Sequence, residues 1–433
     1  MGILPFLQPN LQTIHLNSGF DLTSHELSQI NELCPNLREL YMLPARPPNR
    51  RRGGLVRPNL DPIDCDHFLS FFSHAQSLKS LAVGSQLPNP LVSAALTGLL
   101  PLVADQLEEL VLSNVEPSAL PLNTQQILEA CICLRKFEHR RIVRGSSVSM
   151  GIMLRGLAAT ANLEHLRLDH AIVEDDVEDC IKRHDAPFSN LQSLALKGYA
   201  LPVSRFLSLP LQSLTHLELV VDDQAHQICS SIGRLQILTY LNLVIGINHQ
   251  GWNNGGVRFE PKPHDWQANP EDMQALTNLT KLKSLSIRPI NINLTAPWLT
   301  HDYFEAWTSK FKHLQDIELD IECPLSFSSI VTLSKTHPFL HKCKLLWIQE
   351  IKDWDNLPST HFANLQHLKL NVATDAQLDD VRIVLAEKFN LRARLFSMSL
   401  LQVNFGAVDP YRRPGRAVDE PKVMTLETTA AHD

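Results

Sequence analysis

The stretch Asn162–Asp169, NLEHLRLD, decides the fold of this chain, because its pattern N-L-x-x-L-x-L returns along the sequence. Further copies occupy Asn10–Leu16, Asn36–Met42, Asn190–Leu196 and Asn364–Leu370. In the segment L-x-L the two leucines point to one side of an extended chain, and the residue between them points to the other side. A unit of this kind cannot bury its leucines alone, so the copies have to stack on one another.

Looser copies add further positions, and we call the first leucine of each copy its lead leucine. The thirteen lead leucines are Leu11, Leu37, Leu78, Leu107, Leu134, Leu163, Leu191, Leu214, Leu238, Leu282, Leu314, Leu340 and Leu365. Apart from two gaps of 41 and 44 residues, their separations lie between 23 and 32 residues. This period is typical of a leucine-rich repeat.

The segments between the copies have a helical spacing of apolar residues. Asn123 and Gln126 form a capping pattern ahead of Ile127, Leu128 and Cys131, which are spaced for one helix face. The sequence therefore predicts an α/β leucine-rich repeat solenoid of about 13–14 irregular repeats over residues 1–405. We expect a curved horseshoe with a parallel sheet on the concave face and helices on the convex face.

Two insertions account for the long gaps, at about 44–62 and 248–270. The first is rich in proline, glycine and arginine and indicates a loop that is either solvated, a nuclear localisation signal or a contact for an acidic partner. The second carries tryptophans that either anchor a partner or fold back over the solenoid edge. The loop residues that we consider as partner-binding are Arg50, Arg51, Arg52, Trp252 and Trp266. The polar residues 406–433 predict a disordered C-terminal tail.

Composition limits the class of function. The 433 residues carry a formal net charge of −7, which disfavours a protein whose main role is to bind a nucleic-acid backbone. No signal peptide and no apolar run of membrane-spanning length is evident, so a cytoplasmic or nuclear location is expected. The eight cysteines lack a C-x-x-C pair, and we interpret them as small buried hydrophobic residues.

Catalytic signatures are lacking in the sequence. There is no phosphate-binding loop, dinucleotide-binding glycine pattern, zinc-protease helix or serine-nucleophile elbow. The pair His337 and His341 is interrupted by Pro338, which disfavours a helical metal site. Cys133, beside Arg135, is a weak candidate for a reactive thiol. We therefore expect no enzyme activity, no cofactor and no metal.

On each strand, the side chains that point away from the buried leucines form the predicted partner-binding surface, since repeat proteins generally bind through their concave face. The predicted set is Glu39, Tyr41, Glu109, Lys136, Glu138, Arg140, His165, Arg167, Asp169, His216, Glu218, Tyr240, Asn242, Asp316, Glu318, Asp320, Lys342, Lys344, His367 and Lys369. This surface mixes both signs of charge with tyrosine, which favours a protein or peptide partner over nucleic acid or a membrane. The alternative is that adjacent charges only neutralise one another across the sheet.

Several segments resemble one family. Leu4–Ile14, LPFLQPNLQTI, resembles the first repeat of large fungal F-box/leucine-rich-repeat proteins. The starts of the repeats at Cys34–Leu37, Phe188–Leu191 and Phe362–Leu365 are similar as well, and the resemblance covers residues 4 to about 405. It implies that the solenoid captures a substrate for ubiquitin transfer, while an F-box binds a Skp-type adaptor and cullin.

The F-box itself is absent from this chain, so the adaptor and cullin are expected only if an F-box lies upstream. The sequence thus predicts a non-catalytic recognition solenoid, the substrate-receptor part of an SCF-type ubiquitin ligase. The alternative is a freestanding leucine-rich repeat scaffold or regulator of the GTPase-regulating or cytoskeletal type.

Overall fold

The computed structural model consists of two compact units. The first contains Met1–Leu214 with His249–Arg258, and the second contains Thr215–Asn248 with Phe259–Asp433. The structure describes residues 7–16, 29–30, 32–42, 77–84, 98, 103–113, 123–140, 151–221, 228–246, 265–290, 292–350, 364–365, 367–373 and 423–429.

Short strands are the repeating element of both units. In the first unit they are β1 Thr13–Leu16, β2 Glu39–Met42, β3 Ser80–Gly84, β4 Glu109–Ser113, β5 Lys136–Arg140, β6 His165–Ile172 and β7 Ser193–Gly198. In the second they are β8 His216–Val221, β9 Tyr240–Ile245, β10 Asp265–Gln267, β11 Ser284–Pro289, β12 Asn293–Thr295, β13 Asp316–Leu319, β14 Lys342–Glu350, β15 His367–Ala373 and β16 Val423–Thr429. Each of the thirteen lead leucines stands two residues before a strand, as at Leu163 and His165.

The strands of each unit pair in parallel with their neighbours in chain order. In the first unit β1 to β7 follow one another, with Thr13 opposite Glu39 at one end and His165 opposite Ser193 at the other. In the second unit the main sheet runs β8, β9, β11, β13, β14 and β15 in parallel. A separate parallel pair joins β10 to β12.

The core consists of the lead leucines and the inward residues of the strands. Lead leucines from Leu37 to Leu365 are all at most 5% exposed, and the inward positions are mostly leucine, as at Leu166 and Leu168. His139 takes such an inward position on β5 and is fully buried, with its ring 4.6 Å from that of His170. Such repeats are stable because each buries the leucines of its neighbour.

Helices return the chain between strands. They are α1 Thr124–Ala130, α2 Gly151–Ala158, α3 Glu174–Arg183, α4 Ala200–Leu207, α5 Ile228–Ile232, α6 Pro270–Leu276, α7 His301–Thr308 and α8 Phe327–Thr336. Helix α3 has acidic residues in its first turn and basic residues in its last turn, which suits the helix dipole. Each helix with described side chains buries one apolar face, as α3 does through Val177 and Cys180.

The asparagine that precedes a lead leucine connects neighbouring repeats. Its side-chain amide donates a hydrogen bond to a backbone carbonyl two residues before the preceding lead leucine. The four described pairs are Asn36 with Pro9 (3.2 Å), Asn162 with Ile132 (2.8 Å), Asn190 with Ala161 (2.8 Å) and Asn364 with Pro338 (2.9 Å). The bond has the same position relative to the leucines in all four pairs, which gives the asparagine of the motif a structural role.

The predicted α/β solenoid is confirmed in each unit, and two local expectations need correction. The insertion expected at 248–270 ends in ordered structure, because Asp265–Gln267 forms β10 and Asn269 precedes α6. Within the predicted disordered tail, Val423–Thr429 forms β16, which pairs antiparallel with β15. The insertion at 44–62 lies outside the described residues.

Candidate functional site

Side chains on the outward side of the strands form one surface in each unit, which we call the strand face. They occupy the second, fourth and sixth positions after each lead leucine. Strand β6 illustrates the alternation, since His165, Arg167 and Asp169 are partly exposed while Leu166 and Leu168 are buried. The backbone register therefore arranges these outward side chains in rows across neighbouring strands.

In the first unit the strand face carries a network of charges centred on Glu138. Its carboxylate lies 3.3 Å from Nζ of Lys136 and 3.2 Å from Nε2 of His165, and it also pairs with Arg140. Lys136 in addition lies 2.6 Å from the carboxylate of Glu109 on the preceding strand. The network therefore spans three strands, β4 to β6.

Glu138 is the most buried member of this network, with 5% of its side chain exposed. Burial alone would raise its pKa, but hydrogen bonds from His165 and Arg140 and the charges of Arg140 and Lys136 outweigh that effect. The pKa of Glu138 is consequently held far below its usual range. The carboxylate stays ionised and holds its cationic neighbours in place.

Other outward residues of the first unit are also paired. Asp169 lies 3.3 Å from Nε of Arg167 and 3.6 Å from Nζ of Lys197. The hydroxyl of Tyr41 donates to Glu109 at 3.3 Å, and its ring stacks on His15 with 4.5 Å between centroids. The charged side chains of this strand face therefore neutralise one another across the sheet.

The strand face of the second unit is less completely paired. Lys342 lies 3.3 Å from the carboxylate of Glu318, and Lys344 lies 3.9 Å from it. Arg288 donates to the side-chain oxygen of Asn242 at 3.4 Å and has no carboxylate within ion-pair distance among the described residues. Asp316 likewise has no ion pair or side-chain hydrogen bond within the described part of the chain.

A pocket of about 360 Å³ opens in this second strand face. Its floor is strand β11, where the outward positions hold the small residues Ser284 and Ser286. Larger side chains on the neighbouring strands form the walls, with Tyr240 on β9 and Asp316 on β13, each opposite Ser284 in register. Two serines between bulkier neighbours thus create the depression.

Comparison with known proteins gives only distant similarities. No protein-family model and no curated protein sequence matches this chain. Among solved structures, the complex of Rad7 and Elc1 in yeast contains a chain with 14% identity and a TM-score of 0.41, over 80% of this chain and 77% of that one. The leucine-rich repeat-containing protein LegL7 from Legionella pneumophila has 12% identity and a TM-score of 0.32, over 78% and 83% of the two chains. These scores are too low to support any functional argument, and the fold assignment rests on the strand register and the buried leucines.

The predicted site residues fall into two groups, one in each unit. Residues from Glu39 to Asp169 lie on β2, β4, β5 and β6 of the first unit, and those from His216 to Lys369 lie on or directly after strands of the second. The pocket brings together Tyr240, Asn242, Asp316, Glu318, Lys342 and Lys344. Trp266 lies in strand β10 opposite Leu294 and is partly buried, so it is not on a loop as predicted. Arg50, Arg51, Arg52, Trp252 and the side chain of Lys369 lie outside the described residues.

Sequence reasoning missed the residues that form the pocket floor. Ser284, Ser286 and Arg288 occupy the outward positions of β11 and were left out of the predicted set, although Leu282 was recognised as a lead leucine. Counting two, four and six residues from Leu282 would have found all three. Lys197 on β7, which pairs with Asp169, was missed for the same reason.

The described residues contain no group of three histidine, cysteine or acidic residues placed to hold a metal ion. Burial raises the pKa of the thiols of Cys131 and Cys180 to about 12, so both are unreactive at neutral pH. Within the same residues, no helix has the length and apolar character that a bilayer crossing requires.

Proposed function

We propose that this chain is a non-catalytic recognition solenoid that binds a protein partner through the strand face. The observation that carries the proposal is the pocket of the second unit, where charged and aromatic side chains are held by a buried sheet and are incompletely paired with one another. Rigid strands position such groups before binding, which reduces the entropy cost of association.

The finer proposal is that the chain is the substrate-receptor part of an SCF-type ubiquitin ligase, in the nucleus or cytoplasm. The resemblance of the repeat starts at Cys34–Leu37 and Phe188–Leu191 to fungal F-box/leucine-rich-repeat proteins supports it. A freestanding repeat scaffold is the second candidate, and the paired charges of the first unit suit it, since neutralised side chains there serve structure alone.

Partner capture from cell lysate, read by mass spectrometry, tests the recognition role. The variant Val220→Arg alters charge and bulk on the outward side of β8, outside the pocket. The matched control, Leu201→Arg, changes an exposed apolar helix residue. We expect partners of the unmodified chain to be lost from the strand-face variant and kept by the control; equal retention by both variants would contradict recognition through this face.

A second capture tests the ligase role. The chain is compared with a version extended through any F-box encoded upstream. Recovery of a Skp-type adaptor and a cullin by the extended version, with other partners common to both, supports the receptor proposal. If neither version recovers the adaptor or the cullin, the receptor proposal is contradicted and the freestanding scaffold remains.

A further inference from the structure

Within the proposed recognition role, the pocket of the second unit has features that select one class of ligand. Ser284 lies opposite Tyr240 on one side and opposite Asp316 on the other. Neighbouring strands are separated by about 4.8 Å, so the backbones that carry Tyr240 and Asp316 lie about 10 Å apart on either side of Ser284. The pocket of about 360 Å³ has room for a guanidinium or an alkylammonium group.

The charges around the pocket are unequally matched. Lys342 approaches Glu318 at 3.3 Å, and Lys344 approaches the same carboxylate at 3.9 Å. Asp316 has no such cation among the described residues. Glu318 is therefore neutralised by the protein itself, whereas Asp316 is the carboxylate that a ligand can neutralise.

Ionisation behaviour agrees with this assignment. Burial raises the pKa of Asp316, and the charges of Lys342 and His341 offset the effect only in part. Burial also raises the pKa of Tyr240; Glu218 raises it further, Arg288 opposes this, and Glu318 and Asp316 add to the rise. Since the two lysines neutralise Glu318, the carboxylates of Glu218 and Asp316 oppose the single charge of Arg288, and the surroundings of the tyrosine favour a positive charge.

The floor adds a hydrogen-bond acceptor. The hydroxyl oxygen of Ser286 is buried and has no hydrogen-bond partner among the described residues, and Ser286 lines the pocket. Because a buried hydroxyl without a partner is unfavourable, a donor group entering the pocket would gain from reaching it. Lysine and arginine side chains carry donors only.

We propose that this pocket binds a lysine or arginine side chain of the partner polypeptide, with Asp316 as its counter-ion and the ring of Tyr240 against its cationic group. The inference rests on the proposed function and adds the chemical class of the anchor residue. Cations over tyrosine rings and beside carboxylates are favourable in partly desolvated sites. An acidic side chain would have to use Arg288 at the rim, because both lysines already face Glu318.

Selection from a random peptide library displayed on phage tests the ligand class. The full chain and its Asp316→Asn variant are panned in parallel, and enriched peptides are synthesised for fluorescence anisotropy. We expect lysine or arginine at one enriched position, and a loss of affinity of about tenfold or more in Asp316→Asn, as is typical when a charged hydrogen-bond partner is removed.

Three further variants separate the pocket from general effects of charge or folding. Tyr240→Phe keeps the ring and should bind as the unmodified chain does, whereas Tyr240→Leu should weaken binding. Asp185→Asn removes an exposed carboxylate of the first unit and should leave the affinity unchanged. Thermal unfolding of each variant shows whether a loss of binding reflects a loss of fold.

Several outcomes would overturn the inference. Enrichment of acidic peptides would do so, as would basic peptides that bind Asp316→Asn equally well or a library that yields no enriched sequence. None of these results contradicts protein recognition itself, because the β8 variant Val220→Arg changes a residue outside the pocket. Loss of partners in that variant together with a failed peptide selection would keep the proposed function and reject the basic anchor.

Discussion

The side-chain amide of Asn162 donates a hydrogen bond of 2.8 Å to the backbone carbonyl of Ile132, one repeat earlier in the chain. The same relationship recurs between Asn190 and Ala161. These bonds join the turns that lead into neighbouring strands. In the repeats that begin with asparagine, this residue therefore connects the repeat to the one before it.

Replacing Asn162 by alanine should lower the free energy of unfolding by about 1 kcal/mol, because one hydrogen bond between repeats is lost. The midpoint of urea-induced unfolding measures the change. Asn278→Ala is the matched control, since Asn278 is exposed and its side chain has no hydrogen bond among the described residues. An equal shift in both variants would show that the amide contact contributes nothing.

Replacing Glu138 by glutamine should lower the free energy of unfolding by about 2 kcal/mol at pH 7, because several charge-assisted contacts are weakened. The folded state holds the pKa of Glu138 below its ordinary value of 4.5. The stabilisation is therefore complete above about pH 5 and is lost as the pH falls below 4.5.

Urea unfolding of the unmodified chain and Glu138→Gln between pH 7 and pH 3 tests this dependence. The difference between them should narrow as the pH falls. Glu164→Gln is the control, since the side chain of Glu164 is 42% exposed and lies 3.6 Å from the still more exposed Arg135; its effect should be small at all pH values. A constant difference for Glu138→Gln would contradict the depressed pKa.

Asp316→Asn should have the opposite effect on stability and raise the free energy of unfolding at pH 7, by less than about 1 kcal/mol. Burial raises the pKa of Asp316 above its ordinary value of 3.8, so ionisation costs the folded state free energy. This penalty appears as the pH rises through the raised pKa. It is absent at low pH, where the unmodified chain and Asp316→Asn should be equally stable. Lower stability of Asp316→Asn at pH 7 would reveal a cation that neutralises the carboxylate in the free protein.

Thiol modification should separate the cysteines by burial. At pH 8, Cys131 and Cys180 should react slowly with N-ethylmaleimide, because their raised pKa leaves few thiolates and their side chains are buried. Cys133 is partly exposed and should react before these two. Peptide mapping by mass spectrometry gives the order, and unfolding in urea should equalise the rates; rapid labelling of Cys180 in the native chain would contradict its burial.

Much of the fold followed from the spacing of leucines alone. A lead leucine predicts a strand two residues later because only one register of L-x-L buries both apolar side chains, and Leu163 with His165 shows this register. The inward histidine on β5 was not foreseen, since His139 breaks the leucine pattern yet is packed against His170. The spacing of a residue predicts which side of the sheet its side chain faces, but it does not predict the side chains against which it packs.

The sequence predicts which residues face outward at the candidate site, but it does not predict which of their charges are paired. Outward positions follow from counting, but whether Glu318 or Asp316 is neutralised depends on side-chain directions across strands. The pocket depends on small residues, and a search for charged or aromatic side chains passes over Ser284 and Ser286. Strand β10 in the second insertion and strand β16 in the C-terminal tail escaped prediction because they do not repeat the leucine motif.

Strand β16 has a consequence for self-association. Parallel repeats leave an open strand edge that another strand can extend, and such edges are sites of intermolecular pairing. Because Val423–Thr429 runs antiparallel along β15, the edge it covers is closed to a further parallel repeat. Pairing between molecules at this edge would therefore have to involve the antiparallel strand β16 rather than β15.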